Sequence, residues 1–280
     1  MKIQLSKYAL MGNPVSHSKS PFIHQYFAKQ LNIDLTYEAI LVPLQGFRES
    51  LVVFQKQGGK GLNITLPFKQ QAFMLMDKLG KVAIKAGAVN TVVFYPDGTR
   101  LGENTDGIGF LRDFVENHHG EIANKKILLL GAGGAARGVL GPILSQVPEC
   151  VVIANRTPCK VEVLIQDFSK YGVVLSGASE KNEKLDFDII INSTSASLEN
   201  SVPDTITPSL FRKKVWCYDM AYKDEPTSFL MFAKAQGAIH CMDGLGMLVE
   251  QAAESFFLWH GVKPETQDLI NQLRENTRRN

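Results

Sequence analysis

Ile127-Leu128-Leu129-Leu130-Gly131-Ala132-Gly133-Gly134-Ala135-Ala136-Arg137 is the stretch that decides the fold. Four apolar residues in a row predict a buried strand. The small residues after them give way to Val139, Leu140, Ile143 and Leu144 at helical spacing. A tight turn between a strand and a helix needs small side chains if backbone N–H groups and the positive helix end are to approach a pyrophosphate. The spacing GxGGAA places alanine where GxGxxG has its third glycine, and that position requires only close helix packing. Gly131, Ala132, Gly133, Gly134 and Ala135 therefore read as a dinucleotide-binding turn. The plain alternative is an ordinary βα turn.

The end of the next strand decides which dinucleotide. An acidic residue about 20 positions further on would accept hydrogen bonds from the ribose hydroxyls of NAD. Here Val151-Val152-Ile153 runs into Asn155-Arg156-Thr157, with Lys160 close behind and no carboxylate. An arginine at that place can stack on adenine and pair with a 2′-phosphate, which favours NADP. A solvated Arg156 is the competing reading.

Further strands are expected at Phe187 to Ile191, Val215 to Tyr218 and Ala238-Ile239, with helices between them. Toward the N-terminus, short apolar runs (Tyr8 to Met11, Leu35 to Val42, Leu62 to Leu66) alternate with helix-like stretches (Leu44 to Gln57, Phe68 to Leu79). That alternation predicts βαβ units and a largely parallel sheet. Ala88 to Tyr95, Asp97-Gly98 and Thr99 to Leu101 read as a hairpin with a type I′ turn. A helix opened by Asn104-Thr105-Asp106 then begins a second unit. The expectation is an α/β chain of two domains, 1–105 and 106–246.

Composition narrows the function. The 280 residues are 45% hydrophobic and 21% charged, enough for a sizeable core. A net charge of +2, with basic residues spread along the chain, gives no footprint for nucleic acid. The N-terminus lacks the apolar core of a secretion signal, and the most apolar region is broken by Arg137, glycines and Pro142, so neither export nor a membrane span is expected. Cys150, Cys159, Cys217 and Cys241 form no CxxC pair and no metal spacing with the histidines. They read as reduced, mostly buried thiols of a cytoplasmic protein, with no metal site.

Four polar clusters in the first unit are unusual for a core: Ser16 to Pro21, Asn63 to Lys69, Gly87 to Thr91, and Glu103 to Gly107. Each falls where a strand or hairpin ends, the usual place for ligand groups in open α/β sheets. Their hydroxyls and amides suit a substrate with several hydroxyls and a carboxylate, and a Lys–Asp pair suits proton transfer. Helix capping is the plain alternative for Ser18, Ser20 and especially Asp106.

With these clusters in view, the sequence resembles the shikimate dehydrogenase family. The matching stretches are GNPVSHSKSPFIH at 12–24, GLNITLPFK at 61–69, GAVNT at 87–91, GENTDG at 102–107, GAGGAAR at 131–137, NRT at 155–157, YDMAY at 218–222 and DGLGMLVEQA at 243–252. They run in order along nearly the whole chain. The resemblance implies hydride transfer between NADPH and 3-dehydroshikimate, in chorismate and aromatic amino-acid biosynthesis, by a monomer or homodimer. Ser18 and Ser20 would bind the substrate carboxylate, and Asn63, Thr65, Asn90, Asp106, Tyr222 and Gln251 would contact hydroxyls or orient the ring. Lys69 and Asp106 would be catalytic, with Lys69 either the proton donor or an electrostatic and positioning group. Thr194 would border the cofactor, and Met220 and Gly244 would lie against its nicotinamide. Helices of 247–280 would return to the substrate domain. Two departures from the family pattern stand out: Ser197, where relatives commonly carry glycine, and Lys81, where they often carry an acid. A quinate-accepting dehydrogenase and a non-catalytic NADP-binding sensor are the competing functions.

Overall fold

The computed structural model describes residues 5–177, 186–211 and 214–279, with side chains described as far as 275. The chain divides into two compact α/β units: Met1–Gly109 with Leu248–Gln272, and Phe110–Met247 with Leu273–Asn280. The expected boundary near 105 stands beside a division at 109/110, and the last residues, from Leu273 on, fall with the second unit.

The first unit begins with a βαβαβ run: β1 (Ser6–Gly12), α1 (Ser20–Gln30), β2 (Leu35–Leu41), α2 (Phe47–Lys56) and β3 (Gly59–Ile64). After α3 (Lys69–Phe73) come β4 (Lys78–Leu79), α4 (Lys81–Ala86), β5 (Thr91–Phe94) and β6 (Arg100–Glu103). The strands form one sheet in the order β2-β1-β3-β5-β6-β4. β1, β2 and β3 are parallel, whereas β5 is antiparallel to both β3 and β6. Ala9, Met11, Leu62, Ile64 and Val92 point into a core closed by Phe47, Leu51, Phe54 and Phe68.

Two expectations for this unit need correction. The helix expected over 68–79 stops at Phe73; the chain then forms β4 beside β6, Lys78 pairing with Leu101. The β5–β6 hairpin is present, but its turn is not type I′. Tyr95 N donates to Thr99 O and Gly98 N to Tyr95 O, and in the turn only Gly98 has positive φ. That is a type I turn with a glycine bulge, and the reason is Pro96: a two-residue loop would pair Pro96 with Thr99, and proline has no N–H to give.

α5 (Asp106–Leu111) begins in the first unit, crosses the division at 109/110 and continues into a wider π-helical stretch over Arg112–Asn117, with which the second unit opens. There follow β7 (Lys126–Leu130), α6 (Gly134–Ser145), β8 (Cys150–Ala154), α7 (Pro158–Phe168), β9 (Val174–Ser176), β10 (Ile189–Asn192), β11 (Trp216–Asp219), α8 (Ser228–Ala235) and β12 (His240–Asp243). These strands make a parallel sheet in the order β12-β11-β10-β7-β8-β9. Counted within the unit this is 3-2-1-4-5-6, the doubly wound dinucleotide-binding order, whose direction reverses between β7 and β10. Ile127, Leu129, Val151, Ile153, Ile189 and Ile191 face one apolar layer, and Leu128, Leu130, Val152 and Ile190 face the other. Burial on both sides explains why these strands read as unbroken apolar runs.

Three details differ from expectation here. β9 lies on the sheet edge at Val174–Ser176, where no strand was expected. β12 begins at His240 rather than Ala238, with Ile239 nearly half exposed (48%) ahead of it. The cysteines are free thiols, but Cys159 is exposed rather than buried. The chain ends in α9 (Leu245–His260) and α10 (Gln267–Arg279), and no helix among the described residues is long and apolar enough to cross a membrane.

Candidate active site and cofactor turn

Sheet topology gathers the four polar clusters of the first unit. β1 and β3 are parallel and end together, at Gly12 and Ile64. β5 is antiparallel, so it starts where β3 ends, Asn63 facing Thr91; β6 then ends where β5 starts, Glu103 facing Thr91. The residues that follow β1, β3 and β6 and precede β5 therefore share one end of the sheet.

At that end Lys69, in the first turn of α3, places Nζ 2.5 Å from Oδ2 of Asp106. Their side chains are 14% and 8% exposed. The other carboxylate oxygen, Oδ1, accepts from Asn90 Nδ2 at 2.8 Å. Asn90 Oδ1 accepts from the Thr105 backbone N–H at 2.8 Å, and Oε1 of Gln251, from α9, lies 3.4 Å from both Asn90 Nδ2 and Thr105 Oγ1. Asp106 is therefore not a helix cap. Both its oxygens are engaged by side chains, and it is Asn104 Oδ1 that accepts from the Asp106 N–H, at 3.1 Å.

Behind this pair lies a fully buried polar layer. Asn63 donates to Ser255 Oγ (3.0 Å) and Thr91 Oγ1 (3.1 Å) and accepts from the Tyr37 hydroxyl (2.8 Å). Asn63 thus uses its bonding capacity inside the protein, which suits orienting neighbours more than touching a ligand. Thr65 is partly exposed at the end of β3, its N–H donating to Met11 O at 3.0 Å. Ser18 is half-buried, and its hydroxyl accepts from the N–H of Ser20, the first residue of α1, at 3.2 Å, so the capping alternative holds in part for Ser18; Lys19, at the cap position itself, makes no side-chain cap, and Ser20 is buried. Tyr222 lies on the segment after β11, in the second unit. Tyr37 and Ser255 were not singled out from sequence. Ser255 carried a signal, since it lies one helical turn after Gln251 and so on the same face.

In the second unit the turn from β7 to α6 has the geometry its residues imply. Gly131 has φ of +103°, and a Cβ there would stand 2.7 Å from Ser193 Oγ, so glycine is required. Gly133 precedes the helix without a side-chain cap, and a Cβ on it would meet nothing within 4 Å. No side-chain cap sits at the start of α6, the space beside Gly133 is open, and the first turn carries no acidic residue. Asn155, Arg156 and Thr157 follow β8; Asn155 Nδ2 bonds Thr157 O at 3.0 Å, and Arg156 and Lys160 are exposed. Arg156 has no carboxylate partner among the described residues.

At the ends of β10, β11 and β12, Thr194, Met220 and Gly244 fall on neighbouring segments. Gly244 N donates to Ala221 O at 3.1 Å, and a Cβ on Gly244 would lie 2.2 Å from Met220 O. Only glycine permits that approach. Ser197 is fully buried, its hydroxyl on Asp219; Lys81 opens α4. No cluster of metal-ligating side chains occurs among the described residues.

Comparison with known proteins agrees with this layout. Residues 10–92 match the shikimate dehydrogenase substrate binding domain, 113–221 the shikimate / quinate 5-dehydrogenase family, and 244–274 the shikimate 5'-dehydrogenase C-terminal domain. The NADP(+) shikimate dehydrogenase of Nitrosomonas europaea is 50% identical over 98% of this chain and 99% of its own. Among solved structures, the Ael1 enzyme of Pseudomonas putida is 43% identical with a TM-score of 0.86, covering 96% of this chain and 98% of the other. The Thermus thermophilus shikimate 5-dehydrogenase, solved with NADP(H) and shikimate, is 31% identical with a TM-score of 0.83, covering 98% and 99%. The chain belongs to the shikimate dehydrogenase family.

Proposed function

We propose that this protein catalyses the reversible NADPH-dependent reduction of 3-dehydroshikimate to shikimate. The observation that carries the reading is the 2.5 Å Lys69–Asp106 pair, tied through Asn90 to Thr105 and Gln251 at one sheet end. The likeness to NADP(+) shikimate dehydrogenases over nearly the full chain supports the same reading.

When bound, NADPH supplies the hydride that reduces the substrate ketone. The turn from β7 to α6 fits such a cofactor: Gly133 leaves open space before uncapped N–H groups, where a pyrophosphate is favourably held. Arg156 would hold the 2′-phosphate, with Asn155, Thr157 and Lys160 around the adenosine, while Thr194, Met220 and Gly244 would border the nicotinamide.

In the first unit, Ser18 and Ser20 would receive the substrate carboxylate, and Thr65, Asn90, Asp106 and Gln251 its hydroxyls. Asn63 would orient this set from behind. Lys69 would give a proton from Nζ to the alkoxide oxygen formed at C3, and in the oxidative direction the neutral amine would take the hydroxyl proton back. Asp106 holds the ammonium in place through Oδ2 while Asn90 fixes the carboxylate through Oδ1. That arrangement orients the donor before substrate arrives, which is what general acid–base transfer requires.

Lys69→Ala tests the assignment. Turnover should fall by roughly 10²–10⁴ while NADP⁺ affinity, measured by calorimetry, stays at the parent value. An unchanged turnover number would remove Lys69 from the reaction.

A further inference from the structure

One buried carboxylate in the second unit has no part in the chemistry just described. Asp219 ends β11, is fully buried, and has no cation beside it among the described residues. Burial pushes its pKa up, and hydrogen bonds from Ser197, Thr227, Ala221 and Asn192 pull it back. Oδ2 accepts from Ser197 Oγ and Thr227 Oγ1, both at 2.6 Å; Oδ1 accepts from Asn192 Nδ2 and the Ala221 N–H, both at 3.1 Å. A carboxylate buried without a countercharge is costly even when fully hydrogen-bonded, so its presence calls for a reason other than stability.

The reason lies in where the four donors come from. Asn192 ends β10, Ser197 lies in the 3-10 turn Ala196–Glu199 beyond it, Ala221 follows β11, and Thr227 caps α8, accepting from Leu230 N at 3.3 Å. Asn192 reaches further: its Oδ1 accepts from both the N–H (3.1 Å) and the hydroxyl (2.7 Å) of Thr194. Ala221 O in turn receives Gly244 N, and Gly244 sits against the Met220 carbonyl. One acceptor-only group thus ties together Thr194, Met220 and Gly244, carried by three successive strand ends. In a 3-2-1-4-5-6 sheet these ends lie on the opposite side of the reversal from β8, which Arg156 follows.

We propose that Asp219, with Ser197 and Thr227 as its hydroxyl donors, is the positioning residue for the nicotinamide half of the cofactor site. It acts through the backbone of Met220 and Gly244 and through Thr194, and leaves the adenosine half untouched. The inference rests on the NADP(H) reading above. Asparagine is a poor substitute: an amide nitrogen in place of Oδ2 would oblige the Ser197 and Thr227 hydroxyls to turn from donors into acceptors, and Thr227 Oγ1 already accepts from Leu230 N. Ser197 is part of the same device, since its hydroxyl is a donor that glycine would not provide.

The test is calorimetry on the full chain with two probes, NADP⁺ and adenosine 2′,5′-bisphosphate, the second occupying only the adenosine half. Asp219→Asn should weaken NADP⁺ about 10-fold and lower kcat by a similar factor, since small displacements at a reacting centre are costly. Affinity for the bisphosphate should not change. Thr227→Val should shift both probes in the same pattern to a smaller extent, and Thr227→Ser, which keeps the hydroxyl, should restore parent behaviour; these two variants decide the matter if Asp219→Asn does not fold. Equal weakening of both probes would reduce Asp219 to a structural role, and parent affinity for NADP⁺ in Asp219→Asn and Thr227→Val would overturn the proposal. Should the parent protein fail to reduce 3-dehydroshikimate, the catalytic reading falls, while the two-probe comparison still decides this one.

Discussion

Lys69, Asp106 and Asn90 show what single residues contribute. An ammonium and a carboxylate 2.5 Å apart, each under 15% exposed, hold one another only while both remain charged and paired. Asp106→Ala should therefore harm more than Asp106→Asn: the alanine removes the carboxylate that Lys69 Nζ pairs with and one of the acceptors of Asn90 Nδ2, whereas asparagine keeps an acceptor. Denaturant midpoints of the two variants would measure that order, and the reverse order would contradict it. Arg156 is the opposite case, exposed and without a carboxylate partner among the described residues. Arg156→Ala should leave stability within about 0.5 kcal/mol. It should raise KM for NADPH at least 10-fold while moving that for NADH little, the scale of a lost charge-assisted bidentate contact; equal effects on both cofactors would rule out a 2′-phosphate role. Lys69, Asp106 and Asn90 were legible in the sequence because polar clusters are unusual for a core and these fall where strands end, the usual place for ligand groups. Tyr37 was not, since a tyrosine amid apolar residues reads as core, and only the fold brings its hydroxyl to Asn63.

The turn from β7 to α6 is the element on which the cofactor reading depends, and Gly133 makes it testable with two opposite signs. Its φ of −93° is open to any residue, and a Cβ there meets nothing. Gly133→Asp should supply the missing cap and leave the free protein as stable or slightly more so, by a few tenths of a kcal/mol. The same carboxylate would repel a pyrophosphate, so NADP⁺ affinity should drop more than 10-fold. Calorimetry and thermal unfolding on one variant read both; retained NADP⁺ affinity would place the pyrophosphate elsewhere. Elements buried on both faces, such as β7 and β8, were readable as apolar runs, and the Gly131 turn by its composition. Short edge elements were not: β4 has two residues and β9 three, too few to show a period. The hairpin turn was misjudged because Asp97-Gly98 outweighed Pro96, whose missing N–H sets the pairing.

Across the whole chain, buried histidines make stability depend on pH. His24 is fully buried and stacked on Tyr37 with ring centroids 4.2 Å apart. Burial lowers its pKa from 6.5 to about 3. The folded state thus refuses a proton that the unfolded chain accepts, so this stability is fully present above pH 6.5 and lost as pH falls toward about 3. His24→Phe, which keeps the stack, should flatten the pH dependence of the unfolding free energy below 6.5 by up to about 1.4 kcal/mol per pH unit. An unchanged slope would mean His24 protonates without unfolding. His118 and His260, lowered chiefly by burial, act in the same direction, and Asp219, Asp243 and Glu103, raised by burial, oppose it nearer the carboxylate range. The two-unit α/β plan was legible because its motifs recur in order over nearly the full length. The placement of the last helix was not, since an amphipathic period tells that a face is covered but not by what. What the chain does with its two units is decided most directly by following NADPH absorbance with 3-dehydroshikimate as substrate and, in the reverse direction, NADP⁺ or NAD⁺ with shikimate or quinate. The account predicts rapid NADPH oxidation with 3-dehydroshikimate, and NADP⁺ with shikimate preferred over every other reverse pair. Turnover with NAD⁺ and quinate exceeding that with NADP⁺ and shikimate, or none with 3-dehydroshikimate, would contradict it.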